Sequence, residues 1–190
     1  MRLSRHNDEE FLFSTHDWFR VVEANEEKIK EVAAKKSLKD FEQDFENMVE
    51  VLAAEYTPEA PELRIGELTV EPKEVEVDRP RDGYRSDPFF SGRDTVMKSA
   101  VEVTVPVSGD TGFLRVRPSS FDSGPPRARI SKDHLTFTVV INSDDKEKVR
   151  SDIDERLARI EKYLNWQRKS AEGLPDKMRA LARRELEHRK

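Results

Sequence analysis

Four arginines stand two by two on either side of a short polar loop. Arg115 and Arg117 precede it, Arg127 and Arg129 follow it, and residues 113–130 contain no lysine. If both flanks are strands, residues two apart share a face, and pairing the strands brings all four guanidinium groups to one side of a hairpin. The intervening loop, PSSFDSGPP, supplies Ser119, Ser120 and one aromatic, Phe121. A guanidinium fork matches the oxygens of a phosphate, so this constellation suits a nucleotide phosphate or a nucleic-acid backbone. The same residues also make an ordinary hairpin whose polar outer face is covered by acidic N-terminal helices. Both readings are open on the sequence.

Other chemistry-bearing residues do not assemble. Asp110-Thr111-Gly112 is the aspartic-protease triplet, whose two acids share one proton. Here Ser108 and Gly109 precede it where apolar residues are needed, so SGDTG reads as a turn. Acid-x-Lys triplets of the nuclease kind occur at Glu26-Glu27-Lys28, Glu71-Pro72-Lys73 and Asp144-Asp145-Lys146. Metal-dependent cleavage requires such a pair on a rigid strand beside another acid. The first lies in a helix, the second carries a proline where a strand should pair, and the third opens a helix. His6, His16, His134 and His188 are scattered, with no pair at i, i+4. These residues call for no catalytic centre, no metal and no cofactor.

The chain has 190 residues, 38% of them charged and 35% apolar, so the core must come from a few well-patterned segments. It has no cysteine, which removes disulfides and thiolate metal sites. Its apolar runs are far shorter than the ~20 residues of a membrane span, and residues 1–12 lack a signal-peptide stretch. A bacterial-type cytoplasmic location is the economical expectation, with no membrane partner. The net charge of −5 hides a gradient: residues 1–60 carry 8 basic and 15 acidic side chains, whereas residues 111–142 carry 5 and 2. Docking of the acidic half on the basic half is the favoured explanation, ahead of a polyanion-facing surface.

The elements follow from periodicity. Ser14 with Asp17, then Ser37 with Asp40, signal two helix starts in a helical segment 1–60. Trp18, Val22, Ile29 and Val32 fall near one face, as do Leu38, Phe41, Phe45, Met48 and Leu52. The period then changes to two. Residues 63–70 and 73–77 read as short strands joined by a turn, and 79–94 as a loop. Val101, Val103, Val105 and Val107 alternate with polar residues, and Pro106 argues for an edge or a strand end. FLRVRP, PRARIS and 135–141 complete an antiparallel sheet or meander of about five or six strands. Ser143 opens a helix, 144–168, whose Ile153, Leu157 and Ile160 should pack on the Val101–Val107 or Leu135/Phe137/Val139 face. Gly173 and Pro175 break it, and a last helix carries Met178, Leu181 and Leu186. The expected fold is α+β, with residues 61–190 forming the sheet and C-terminal helices, packed with 1–60 as one unit.

Three stretches carry a resemblance. They are DPFFSGRDTVMKSAVEVTVPVSGD, FLRVRPSSFDSGPPRARI and YLNWQRKSAEGLPDKMRALARRELEHRK. Over roughly residues 60–190 the chain resembles the N-terminal part of a group of uncharacterised bacterial proteins. In their longer members a restriction-endonuclease-like domain follows. The signatures are Arg117-Pro118-Ser119-Ser120 with Pro125-Pro126-Arg127 after it, and Tyr163-Leu164-x-Trp166-Gln167 with Leu174-Pro175 downstream. This chain stops where the longer members continue. The resemblance therefore implies a non-catalytic recognition or assembly module tied to a bacterial nuclease-type defence effector. Its partner would be another protein or the missing effector domain, and a homodimer is compatible with it. Direct binding of nucleic acid or nucleotide phosphate through the arginine hairpin is the alternative.

Overall fold

The alternating valines at 101–107 form the middle of a fourteen-residue strand that is paired on both sides. Around it the computed structural model describes residues 9–36, 44–78, 95–142 and 145–189. In chain order the elements are β1 (Glu10–Phe11), β2 (His16–Asp17), α1 (Trp18–Ala34), α2 (Phe45–Tyr56), β3 (Glu62–Leu63) and β4 (Thr69–Asp78). Then come β5 (Thr95–Ser108), β6 (Val116–Arg117), β7 (Arg127–Ile130), β8 (His134–Val140), α3 (Lys146–Ala171) and α4 (Leu174–Glu187). The fold is α+β, an antiparallel sheet flanked by N- and C-terminal helices. The strand order is β1–β7–β8–β5, with β3 and β4 both paired to the far side of β5.

Because side chains alternate across a strand, the register Val101↔Val139, Val103↔Phe137 and Val105↔Leu135 gathers the apolar set on one face. On that face lie Ile153, Leu157, Ile160 and Leu164 of α3, all buried in the same core cluster. The expected packing of this helix on the sheet is therefore observed. The opposite face holds polar pairs: Thr104 and Thr136 approach to 3.5 Å, and Lys73 reaches Glu102 at 2.5 Å. A second apolar cluster joins Trp18, Val22, Ile29 and Ala33 of α1 with Val49, Leu52 and Ala53 of α2. Leu174, Met178, Ala182 and Leu186 of α4 complete it.

Several local expectations are corrected. Residues 69–78 form one strand with no turn at Pro72, which sits opposite Val101. Among the described residues β4 pairs only with β5, and an edge strand tolerates a proline because the missing N–H can face outward. Pro106 lies in a strand paired on both flanks, not at an edge, but it is the last pair of the β5–β8 ladder, opposite His134. Residues 9–17 form two short strands joined by a turn and are not helical. The Ser14 hydroxyl donates to Phe11 O instead of capping α1, which has no side-chain cap. α3 is capped by Asp145, whose carboxylate accepts from the N–H of Glu147 and Lys148. Ser37, Leu38, Asp40 and Phe41, the loop 79–94, and Ser143 lie outside the described residues. Gly173 does end α3; its φ of 76° is the left-handed backbone that glycine adopts without penalty.

The extended segment 9–17 is a strap. β1 pairs with β7, β2 runs parallel to β6, and Leu12 and Phe13 between them are buried. Phe13 turns the chain at a φ of 54°, held there by the core and by stacking on Tyr163 at 5.0 Å. Arg127 and Thr138 face each other beyond the β7–β8 ladder, and an ion pair between Glu9 and Arg156 is inserted there. Thr138 N–H donates to Glu9 Oε1 at 2.7 Å, while Arg156 donates to Thr138 O at 3.0 Å and to Arg127 O at 2.6 Å. Backbone groups that the ladder leaves unpaired are thus satisfied by side chains.

Candidate interaction groove

The arginine hairpin does not form. Thr111–Arg115 is a 3-10 turn, nucleated by the Asp110 carboxylate accepting from Gly112 N–H at 2.8 Å. Only Val116 and Arg117 are extended, and they pair with β2, whereas Arg127–Ile130 lies between β1 and β8. Each arginine takes its own partner. The Arg115 fork donates from Nε and Nη2 to the two carboxylate oxygens of Glu10, at 3.1 and 2.5 Å. Arg117 pairs with Asp17. Arg129 lies 3.6 Å from Glu102, and the Arg127 guanidinium stacks 4.1 Å from the Phe11 ring centroid. Acids of the strap therefore occupy two of the four guanidinium groups. Farther along, Glu26–Lys177, Glu46–Arg183 and Glu50–Arg179 link the acidic half to α4. The charge gradient is used in intramolecular docking.

The loop 118–126 is tied to α3. Asp122 accepts from the Tyr163 hydroxyl at 2.6 Å, from Lys162 Nζ at 2.9 Å and from Gly124 N–H at 3.1 Å. The Tyr163 hydrogen bond, then those of Lys162 and Gly124, hold this carboxyl well below its ordinary 3.8. Burial, reinforced by the hydrogen bond to Asp122, pushes the Tyr163 hydroxyl up to about 12. Ser119 N–H donates to Ser170 Oγ at 3.2 Å, and the Arg159 guanidinium lies against Gly124, where a Cβ would meet it at 2.1 Å. Gln167, fully buried, donates from Nε2 to Phe113 O and Val116 O at 2.8 and 2.6 Å. Tyr163 and Gln167 of the helix signature thus hold the residues on either side of the Arg117–Ser120 signature, Asp122 and Val116. Two motifs fifty residues apart make one device.

Beside this braced loop lies an open groove of about 340 Å³, lined by Asp17 of β2, by the first turn of α1, and by Arg117, Pro118, Ser119 and Phe121. Arg117, Ser119 and Phe121 line it; Ser120 is exposed nearby in sequence, while Arg115, Arg127 and Arg129 are not part of it. The Arg117 guanidinium sits 4.7 Å from the Phe121 ring centroid. Phe19 and Phe121 are 72% and 56% exposed. Trp18 is buried against Phe113, ring centroids 5.9 Å apart, and its indole N–H has no acceptor among the described residues. Asp17, Trp18, Phe19 and Arg20 carried no signal for this site in the sequence. Only the parallel pairing of His16 with Val116 and of Asp17 with Arg117 brings them there, across a hundred residues.

The remaining sequence candidates stay apart. Glu26-Glu27-Lys28 lies in α1 and Glu71-Pro72-Lys73 in β4; Asp144 and His6 are outside the described residues. His134 contacts Asp133 at 2.7 Å, and His16 and His188 are in β2 and at the end of α4. Among the described residues no group of three or more His, Cys, Asp or Glu side chains could hold a metal ion, and no helix is long and apolar enough to cross a membrane. No protein-family model matches the chain, and neither a curated protein nor a solved structure is significantly similar to it.

Proposed function

We propose that the protein is a non-catalytic recognition or assembly module that works beside a bacterial nuclease-type effector and engages a protein partner at the α1/β6 groove. The observation that carries this reading is the pair Phe19 and Phe121, left 72% and 56% exposed along one groove. Large aromatics next to an arginine are the residue types that dominate protein contacts. Bracing by Asp122, Tyr163 and Gln167 lowers the ordering cost of such a contact, because the loop is already held. The link to a defence effector rests on the resemblance of residues 60–190. Direct polyanion binding through Arg115, Arg117, Arg127 and Arg129 is the weaker reading, since a phosphate backbone would have to displace Glu10, Asp17 and Glu102.

Co-expression with the products of the genes flanking its own tests the proposal. A stable complex with one of them, seen by size exclusion with light scattering, is the expected result. Turnover of nucleic acid by the purified protein would overturn it. So would tight oligonucleotide binding with a steep salt dependence and no protein complex.

A further inference from the structure

We infer that the outer edge of β4 receives an extended basic segment of a protein partner, paired to it as an added strand. This surface is separate from the α1/β6 groove and does not depend on it. Ile141 N–H donates to Ser99 O at 2.8 Å, and Arg64 N–H donates to Pro106 O at 2.9 Å. Odd-numbered residues of β5 therefore turn their backbone groups toward β8, and even-numbered ones toward β3 and β4, as an antiparallel ladder requires. Glu71, Lys73 and Val75 stand opposite Glu102, Ala100 and Lys98, so their N–H and C=O groups are taken up by β5. Val70, Pro72, Glu74 and Glu76 point theirs the other way, where no strand among the described residues meets them. The side chains of this outward row share one face of the sheet, and all four residues are exposed.

Charge decides the class of strand. Residues 59–78 hold seven acidic and two basic side chains, a net −5 equal to that of the whole chain. Both bases are already engaged: Arg64 lies 3.3 Å from Glu67, and Lys73 lies 2.5 Å from Glu102. Glu71, Glu74 and Glu76 have no cation partner among the described residues; Glu76 accepts only the neutral Thr95 hydroxyl. A second copy of β4 would set these carboxylates against like charge, which is destabilising across a strand pair. A nucleic-acid backbone would meet the same repulsion. Lysine or arginine at alternate positions of an added strand would stand beside Glu74 and Glu76, and an apolar side chain would meet Pro72 and Val70, which is 46% exposed. Charges and a proline keep an edge from pairing at random. Here they leave the main-chain bonds to supply affinity and the carboxylates to select the partner.

The full chain, labelled with ¹⁵N, is titrated with a capped Lys-Val-Lys-Val-Lys-Val-Lys peptide and its Glu-Val-Glu-Val-Glu-Val-Glu counterpart. In the free chain the amides of Val70, Glu74 and Glu76 should exchange quickly with solvent, and those of Glu71, Lys73 and Val75 slowly. The lysine peptide should slow exchange at the first three and leave the other three unchanged. Its affinity should weaken as salt is raised and fall about tenfold in Glu74→Lys/Glu76→Lys at unchanged Tm. Glu74→Pro, which removes one outward donor and no bond to β5, should weaken it as well. The inference fails if the lysine peptide leaves Val70, Glu74 and Glu76 unprotected, if the glutamate peptide protects them as strongly, or if charge reversal leaves affinity unchanged. Protection of these amides in the free chain, with a dimer seen by light scattering, would give the edge to a second copy and overturn the inference. None of these outcomes bears on the groove, which the co-expression test decides.

Discussion

Replacing Tyr163 with Phe removes one oxygen from the device that holds the 118–126 loop. The hydroxyl donates to Asp122 Oδ1 at 2.6 Å and to Asp122 O at 3.1 Å. The ring would stay, stacked on Phe13 at 5.0 Å and edge-on to Trp166 at 4.9 Å, so packing is preserved. A hydrogen bond to a charged group contributes about 1.5–3 kcal/mol. Asp122 keeps Lys162 and Gly124 N–H, and its side chain is 38% exposed, so water can replace the lost donor. The cost should therefore fall at about 1–2 kcal/mol, a drop in Tm of about 2–8 °C for a chain of this size.

The pH dependence gives the same substitution a second readout. Tyr163 ionises near 12 when folded against an ordinary 10, so the stability it contributes is complete below pH 10 and is lost as pH rises through 12. Asp122 is shifted the other way. Its contribution is complete above its ordinary 3.8 and is lost as pH falls through its depressed folded value. Urea unfolding across pH should show a constant difference between wild type and Tyr163→Phe from about pH 5 to 9. Above pH 10 the wild type should lose up to about 2–3 kcal/mol that the variant does not have to lose. The acid limb should be shallower in the variant, because the Asp122 carboxyl returns toward its ordinary value. Amide exchange at residues 119–124 should quicken. Unchanged stability near neutrality, or identical alkaline limbs, would refute the reasoning.

Two further substitutions probe the core and the strap. Leu157→Ala should cost about 2–5 kcal/mol by urea unfolding, because Leu157 is buried in the cluster between α3 and the sheet; a loss below about 1 kcal/mol would contradict that packing. Replacing Arg115, Arg117, Arg127 and Arg129 together with Gln should lower Tm at low salt and narrow the difference at high salt, each exposed pair contributing under ~1 kcal/mol. Loss of oligonucleotide affinity with no change in low-salt Tm would show that these arginines serve a ligand instead of the strap.

Periodicity is a local property, and what depended on it was legible in the sequence. The alternation of Val101 to Val107 and of Leu135, Phe137 and Val139 determined a sheet with one apolar face, and the spacing of Ile153, Leu157 and Ile160 determined the helix that covers it. Ser108-Gly109-Asp110-Thr111-Gly112 declared a turn, and Gly173 with Pro175 the end of α3. Where the sequence misled, as at Pro72, a residue unsuited to a central strand stood in one that, among the described residues, is paired on one side alone, and that is decided by neighbours. The arginine segment failed for the same reason. Spacing two apart predicts a shared face only if a strand forms, and Arg115 ends a 3-10 turn that Asp110 nucleates, with its guanidinium turned to Glu10. The groove is wholly tertiary: His16 and Asp17 meet Val116 and Arg117, and Tyr163 meets Asp122, through contacts forty to a hundred residues long. A guanidinium or an unpaired N–H is satisfied by whichever acceptor the fold brings within about 3 Å, and no spacing along the chain encodes that distance.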